Sequence, residues 1–290
     1  MTDAQSIAPA EAPAAKRQRR PRRINLSGAI GLVTVSFWLV VAAIGPALAP
    51  HDVGAVVDLD VFSPASAAFP LGTDYLGRDI LSRMLTAARY TVFIALVATL
   101  LAASVGVLFG LAAATVGGWI DMLLVRLFDT LIAIPSLMFS LVVIASLGSS
   151  IPVLIGTIAL IYTPGAFRIA RALALNVAAM DFVQVARTRG EGIGYIVRCE
   201  ILPNVIGPLL ADFGLRFVFV VLLLSGLSFL GLGVQPPYAD LGSLVRENIA
   251  GLGYGAPAVL FPAIAIATLT IGVNLVIDNL PGGRPGAGRR

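Results

Sequence analysis

The sequence predicts an all-α, polytopic membrane protein with about six transmembrane helices. Of its 290 residues, 58% are hydrophobic and only 12% are charged, whereas an average soluble domain carries about 25% charged residues. Apolar runs of about 20 residues recur along the chain, which is the length needed to cross a hydrocarbon core of roughly 30 Å. The alternating segments of about ten residues that are typical of a β-barrel do not occur.

The N-terminal segment is strongly basic and precedes the first apolar run. The stretch KRQRRPRR (residues 16–23) holds six of the 20 basic residues. Positive charge in this place is typical of a helix whose start stays in the cytoplasm, so we do not predict a nucleic-acid partner. Because residues 1–25 show no hydrophobic periodicity, we expect a disordered cytoplasmic tail.

The first predicted span covers residues 26–49. It ends in ALAP, which resembles a signal-peptidase site, but an apolar run above about 20 residues is too long for a typical cleavable signal. We therefore expect a retained helix. Residues 50–89 are more polar and predict a periplasmic segment.

Three further spans are expected at residues 90–116, 122–147 and 152–173. In the first of these, Gly106 and Gly110 have the GxxxG spacing that lets two helix backbones approach closely. Pro135 lies inside the next and should kink it, because proline removes one backbone hydrogen bond.

The last two spans are predicted at residues 209–232 and 258–277, with a polar outer loop over 233–257 and a flexible tail over 281–290. With six spans, both termini lie in the cytoplasm. Sixteen of the 20 basic residues then fall on or near the inner side, as positive-inside orientation requires. The four on the outer side are Arg78, Arg83, Arg89 and Arg246.

Several kinds of chemistry are missing from the chain. Lys16 is its only lysine, so it cannot form a nucleotide-binding P-loop, and we predict no cofactor bound by this chain. Its single histidine, His51, lies in the outer segment without a partner cluster. The single Cys199 excludes an internal disulfide. We predict no catalytic residues and no metal site, which disfavours a membrane-embedded enzyme.

Two charged pairs lie in the predicted spans, near the inner mouth. Arg126 and Asp129 are three residues apart, and Asp212 and Arg216 are four apart, so each pair can share one helix face. We interpret them as local charge neutralisation. An ion-coupled secondary transporter, which keeps ionisable residues deep in its helices, remains an alternative.

The longest predicted internal loop spans residues 174–207 and contains the polar stretch DFVQVARTRGEGIGYIVRCEILPN (181–204). We expect one short helix over 181–190, ended by Gly190, and a second over 194–201. Connections in helical bundles usually run to about 2–8 residues, so a loop of about 30 residues suggests a docking surface for a soluble partner.

This loop resembles the EAA signature of bacterial ABC-importer permeases, E-A-A-x3-G-x9-I-x-L-P. Gln184, Val185 and Ala186 are followed at the same spacing by Gly190 and by Leu202-Pro203. Gln184 replaces the glutamate of the signature, Val185 an alanine, and Glu200 the isoleucine.

Further segments resemble the dipeptide/oligopeptide/nickel importer subfamily, in order along the chain. They are FPLGTDYLGRDILSRMLTAARYTV (69–92), RLFDTLIAIPSLMFSLVV (126–143), FRIARALALNVAAMDFV (167–183) and LSFLGLGVQPPYADLGSLV (227–245). Together the matches cover about residues 65 to 277. The C-terminal tail LPGGRPGAGRR departs from the subfamily's usual LRD-x-LDP-like ending.

The resemblance implies a type I ABC-importer permease bundle, of the second-permease or C-type subunit, in the bacterial inner membrane. It implies a homologous second permease, two cytoplasmic ATPase subunits that bind the ATP, and an extracytoplasmic solute-binding protein. The residues that would couple to an ATPase are Asp181, Phe182, Gln184, Ala186, Arg187, Gly190, Leu202 and Pro203. Tyr238, Asp240 and Glu247 would contact the binding protein. The solute would be a di- or oligopeptide, with nickel or another small solute as the alternative.

Overall fold

The computed structural model describes residues 25–254 and 257–280, and the fold of this part is helical. The predicted tails at residues 1–24 and 281–290 lie outside the described residues. The helices in chain order are α1 (Leu26–Leu48), α2 (Ile80–Val116), α3 (Gly118–Ile132), α4 (Ser136–Leu147), α5 (Ile151–Ala178), α6 (Asp181–Thr188), α7 (Ile193–Tyr195), a π-helix (Ile196–Ile201), α8 (Leu202–Phe229), α9 (Leu241–Glu247), a 3₁₀-helix (Ile249–Tyr254) and α10 (Leu260–Asn279).

The expectation of about six spans is confirmed. Five helical segments of the described chain are long and apolar enough to cross a membrane. The number is six when the pair α3 and α4, which meet at an angle of 82°, is counted as one broken span. Pro135 lies between them, so the predicted kink is a complete break of the helix. Because proline lacks a backbone N–H and its ring clashes with the preceding turn, the helix restarts after it.

The centre of the bundle is the close packing of α2 against α5. A Cβ atom at Gly106 would lie 2.7 Å from the backbone nitrogen of Phe167, and one at Gly110 would lie 2.8 Å from the carbonyl oxygen of Phe167. Only glycine fits between backbones this close. The predicted role of the GxxxG spacing is therefore confirmed, and its partner helix is α5.

The boundary between the outer segment and the second span differs from the prediction. The helix begins at Ile80 instead of residue 90, because the Asp79 carboxylate accepts hydrogen bonds from the backbone N–H groups of Leu81 and Ser82. Such an N-cap satisfies donors that a helix start leaves unpaired. α2 is thus about 55 Å long at a rise of 1.5 Å per residue, longer than the hydrocarbon core.

A buried network of four charges anchors the outer segment to α9. Arg83 Nη1 lies 2.7 Å from Asp74 Oδ2 and 2.8 Å from Glu247 Oε2. Arg78 Nε lies 2.7 Å from the same Asp74 oxygen. Arg78 and Arg83 are two of the four arginines predicted on the outer side, and here they are neutralised by the chain itself. Sequence reasoning did not find this network, since Glu247 is 164 residues from Arg83.

The predicted pairing of Arg126 with Asp129 is wrong. Asp129 instead accepts a hydrogen bond of 2.9 Å from Arg168 Nη2 on α5. A second ion pair joins the same helices, with Arg171 Nη2 at 2.6 Å from Asp121 Oδ2. These contacts connect α3 to α5, so the charges hold two helices together and do not only neutralise each other along one helix.

The pairing of Asp212 with Arg216 is confirmed. Arg216 Nη2 is 2.7 Å from Asp212 Oδ2, and Arg216 Nη1 donates to the carbonyl oxygen of Tyr162 at 2.8 Å. Tyr162 lies about 16 Å along α5 from its first residue, Ile151. The ion pair therefore lies near the middle of α5 and α8.

Candidate functional site

The helix α6 is fixed to the bundle along one face. Val183 and Ala186 are 0% exposed, and they belong to one apolar cluster with residues of three other helices: Leu111 and Ala114 of α2, Ala170, Ala174, Val177 and Ala178 of α5, and Val205 and Leu209 of α8. The spacing of three residues between Val183 and Ala186 puts both side chains on one side of the helix. Ala186 was expected on the docking face, and this expectation is wrong because its side chain packs inward.

The opposite face of α6 is free. Asp181 and Arg187 are exposed, and two apolar side chains, Phe182 and Val185, also face outward with exposed fractions of 39% and 52%. Large apolar groups exposed next to charged ones, on a helix outside the spans, are typical of a protein contact surface. The exposed face of α6, defined by these four residues, is the candidate docking face.

Gln184 has a role that the signature does not suggest. Its side-chain Nε2 donates a hydrogen bond of 2.8 Å to the carbonyl oxygen of Ala178, the last residue of α5. A carbonyl at a helix C-terminus has no partner within the helix, and the glutamine amide supplies one. An ionised glutamate cannot donate this bond. Gln184 therefore fixes the angle at which α6 leaves α5.

Gly190 ends α6, as predicted. Its φ angle is +80°, a left-handed conformation that glycine adopts without strain. The N–H of Gly190 donates to the carbonyl of Arg187, and the N–H of Glu191 donates to the carbonyl of Ala186. These two bonds form a Schellman motif. Arg187 also lines a cavity of about 220 Å³ with Thr115, Glu191, Ile193 and Ile196.

Leu202 and Pro203 do not follow a separate second short helix. α7, the π-helix and α8 form one continuous helical segment from Ile193 to Phe229. The N–H of Leu202 bonds to the carbonyl of Val197, the five-residue spacing of a π turn, and Pro203 then occupies the first turn of α8, where proline is tolerated. The predicted loop of 174–207 is thus shorter than expected, with α6 at its centre.

The three outer residues expected to contact a binding protein differ in exposure. Tyr238 is 46% exposed, so its contact remains a prediction. Asp240 is fully buried and accepts hydrogen bonds from Ser228 Oγ and Ser243 Oγ, each at 2.8 Å. Glu247 takes part in the buried network with Arg83. For these two residues the expectation is wrong, because both carboxylates already bind groups of the chain itself.

Comparison with known proteins identifies the family of this chain. Residues 106–281, which include α6 and Gly190, match the family described as binding-protein-dependent transport system inner membrane component. The chain is 30% identical to the dipeptide transport system permease protein DppC of Haemophilus influenzae, with 88% of this chain and 89% of that protein covered.

Two other relatives are similar over comparable lengths. The dipeptide transport system permease protein DppC of Bacillus subtilis is 31% identical, with 90% of this chain and 82% of that protein covered. The glutathione transport system permease protein GsiD of Pectobacterium atrosepticum is 29% identical, with 86% and 81% covered. The chain therefore belongs to the family of inner-membrane permease components of binding-protein-dependent transport systems, and it is a multi-pass membrane protein and not an enzyme.

Proposed function

We propose that this chain is one permease subunit of an ATP-driven importer for di- or oligopeptides, and that it forms half of the translocation path. The observation that carries the proposal is the docking face of α6, which is exposed on one side and fixed to the bundle on the other. The names of the relatives support a peptide solute, since they transport dipeptides or glutathione.

The proposal includes partners for each surface. Two ATPase subunits in the cytoplasm would bind the ATP, because a chain whose only lysine is Lys16 has no P-loop. One of them would receive the docking face of α6. A homologous second permease would complete the path, and a solute-binding protein would deliver the peptide near Tyr238. Both termini would then lie in the cytoplasm.

The packing supports a mechanism of alternating access. Because Val183 and Ala186 are buried against α2, α5 and α8, a displacement of α6 by the ATPases moves these helices with it. Closely packed helices do not deform continuously and respond as rigid bodies. ATP binding would favour the outward-open arrangement through contacts that differ between the two states.

The docking face is tested with the complete transporter in proteoliposomes. We expect Phe182→Ala to weaken co-purification of the ATPase subunits at least about fivefold, since a buried aromatic anchor often contributes more than about 1 kcal/mol to an interface. The matched control is Phe93→Ala on α2, where the side chain is also about half exposed. Equal retention of the ATPases by both variants would contradict the assignment.

A second experiment tests whether α6 is needed for transport. We expect Gly190→Pro, or deletion of residues 181–190, to abolish uptake while the protein stays in the membrane. Proline cannot adopt a φ of +80° and lacks the N–H that bonds to Arg187. Unchanged uptake would refute the coupling role of α6.

Two other observations test the alternatives. Uptake by this chain alone, driven by an ion gradient, would show a secondary transporter. The ligand that co-purifies with the binding protein decides between a peptide and nickel as the solute.

A further inference from the structure

A cavity of about 280 Å³ lies where α3 and α4 break, against α5. It is lined by Leu131, Ile132, Ile134, Pro135, Ser136, Phe139, Leu160, Ile161 and Tyr162. Since a liquid water occupies about 30 Å³, this space equals roughly nine waters. Its lining is mainly apolar, so it has the size and chemistry to hold one large apolar side chain.

The cavity lies near the middle of the membrane. Tyr162 is about 16 Å along α5 from the outer end of that helix, and half of a hydrocarbon core is about 15 Å. The backbone N–H of Ser136 is at the start of α4, where no side chain caps the helix. Several residues of its lining, such as Ile134 and Leu160, are exposed in the single chain. Because irregular backbone at this depth is tolerated only inside protein or beside water, this side of the cavity must face protein or water in the complete transporter.

An exposed ion pair lies along the same seam, on the cytoplasmic side of the cavity. The side chains of Arg168 and Asp129 are 57% and 45% exposed, although both belong to spanning helices. Asp129 is three residues from Ile132, and Arg168 is seven from Ile161, so each shares a helix face with a residue of the cavity wall. Exposed charges within a span normally face water or protein.

One wall of the cavity is held rigidly from α8. Arg216 donates to the carbonyl of Tyr162, and the Tyr162 hydroxyl donates to the carbonyl of Phe219 at 2.9 Å. A Cβ atom on Gly165 would come within 2.9 Å of Arg216 Nη1, so the glycine makes room for the guanidinium. Burying the Arg216–Asp212 pair is costly. Arg216 holds the backbone of Tyr162 at the cavity, and the carbonyl of Phe219 holds its side chain.

We propose that the α3–α5 seam is a transit site for the transported solute, a proposal that rests on the proposed function. The cavity takes an apolar side chain of a peptide, while the exposed Arg168 and Asp129 exchange their mutual ion pair for contacts with the charged carboxylate and ammonium termini. The chemical class of the ligand is thus a zwitterionic peptide with a bulky apolar side chain. Arg216, through Tyr162, is a positioning residue for this site.

The test fills the cavity and measures selectivity. The complete transporter in proteoliposomes is given leucyl-leucine and glycyl-glycine together, and the ratio of their uptake rates is determined. Because every variant is assayed with the same binding protein, the selectivity of that protein cancels when the uptake ratio of a variant is compared with that of the wild type. We expect Ser136→Phe to lower the ratio about tenfold, since burial of a leucine side chain contributes at least about 1.5 kcal/mol. Ser146→Phe, an exposed position on the same helix that does not line the cavity, should leave the ratio within about twofold.

Charge is tested separately. Arg168→Gln should raise the KM for both dipeptides, and the exchanged pair Asp129→Arg with Arg168→Asp should restore part of the loss. An uptake ratio unchanged by Ser136→Phe overturns the proposal. The proposal is also overturned if Ser136→Phe lowers the uptake of both dipeptides equally and the second permease is lost from the purified complex. That result would identify the seam as a subunit interface. If the wild-type transporter takes up neither these dipeptides nor longer peptides, the proposed function itself fails.

Discussion

Replacing Gln184 by the glutamate that is usual in the EAA signature should weaken the attachment of α6. The glutamine amide donates a hydrogen bond of 2.8 Å to the carbonyl of Ala178, and losing such a bond removes about 1 kcal/mol. A carboxylate also lies unfavourably against the partial negative charge of the α5 C-terminus, at about 0.3–1 kcal/mol. We therefore expect a total of about 1.3–2 kcal/mol for Gln184→Glu, or roughly ten- to thirtyfold in the local opening equilibrium of α6.

Trypsin cleavage at Arg187 and Arg189 in inside-out vesicles measures this opening, because cleavage requires the helix to unfold locally and tracks the open population. Gln184→Met keeps the length of the side chain but loses the donor, and it should be cleaved about fivefold faster than wild type. Val185→Ala, at an exposed position of the same helix, is the control and should change the rate by less than about twofold. If the glutamate variant were cleaved at the wild-type rate or more slowly, the hydrogen bond to Ala178 would not hold α6 and the reasoning would be refuted.

Three further predictions concern packing, charge and backbone conformation. Gly106→Val should prevent stable folding, because overpacking lowers the free energy of unfolding by about 1–3 kcal/mol or more. Gly156→Val is the control, since no atom lies within 4 Å of its added Cβ. The yield of monodisperse protein in detergent should fall for the first variant and not for the second. Asp212→Asn leaves Arg216 buried without a counter-charge and should lower stability by about 3–5 kcal/mol, and adding Arg216→Met should recover most of the melting temperature. Gly190→Ala should speed trypsin cleavage of α6 about fivefold, because a left-handed φ costs alanine about 1 kcal/mol. An unchanged cleavage rate would contradict the role of Gly190 in the Schellman motif that ends α6.

The sequence was sufficient for features that depend on neighbouring residues. Hydropathy adds up along a segment, so the number and order of the spans followed from the apolar runs alone. The glycine at position 190 and the proline at 135 act through their own backbone, and both effects appear where they were predicted. The boundaries were less accurate, because Asp79 starts α2 before its apolar run and the helical segment that contains α8 already begins at Ile193.

The helix α6 has features that depend on neighbouring residues and others that depend on packing. Its position and its terminating glycine followed from the resemblance to the EAA signature. Which face of α6 is free did not, because Ala186 turns inward only when α2, α5 and α8 surround it. The role of Gln184 likewise depends on the carbonyl of Ala178, six residues earlier, being left unpaired by the end of α5.

Charge pairing between different helices was decided by the tertiary structure, whereas the Asp212–Arg216 pair within α8 followed from its spacing. By itself, the sequence determined that this is a helical membrane protein with basic ends, no P-loop and a polar segment between two of its spans. It suggested Arg126 as the partner of Asp129 and left Glu247 free. In the folded chain, Asp129 instead pairs with Arg168 at an exposed position, and Glu247 pairs with Arg83 in a buried one. A buried charge in particular needs a counter-charge from among all its neighbours in space. Those neighbours come from helices far apart in the chain, and only the packed bundle defines them.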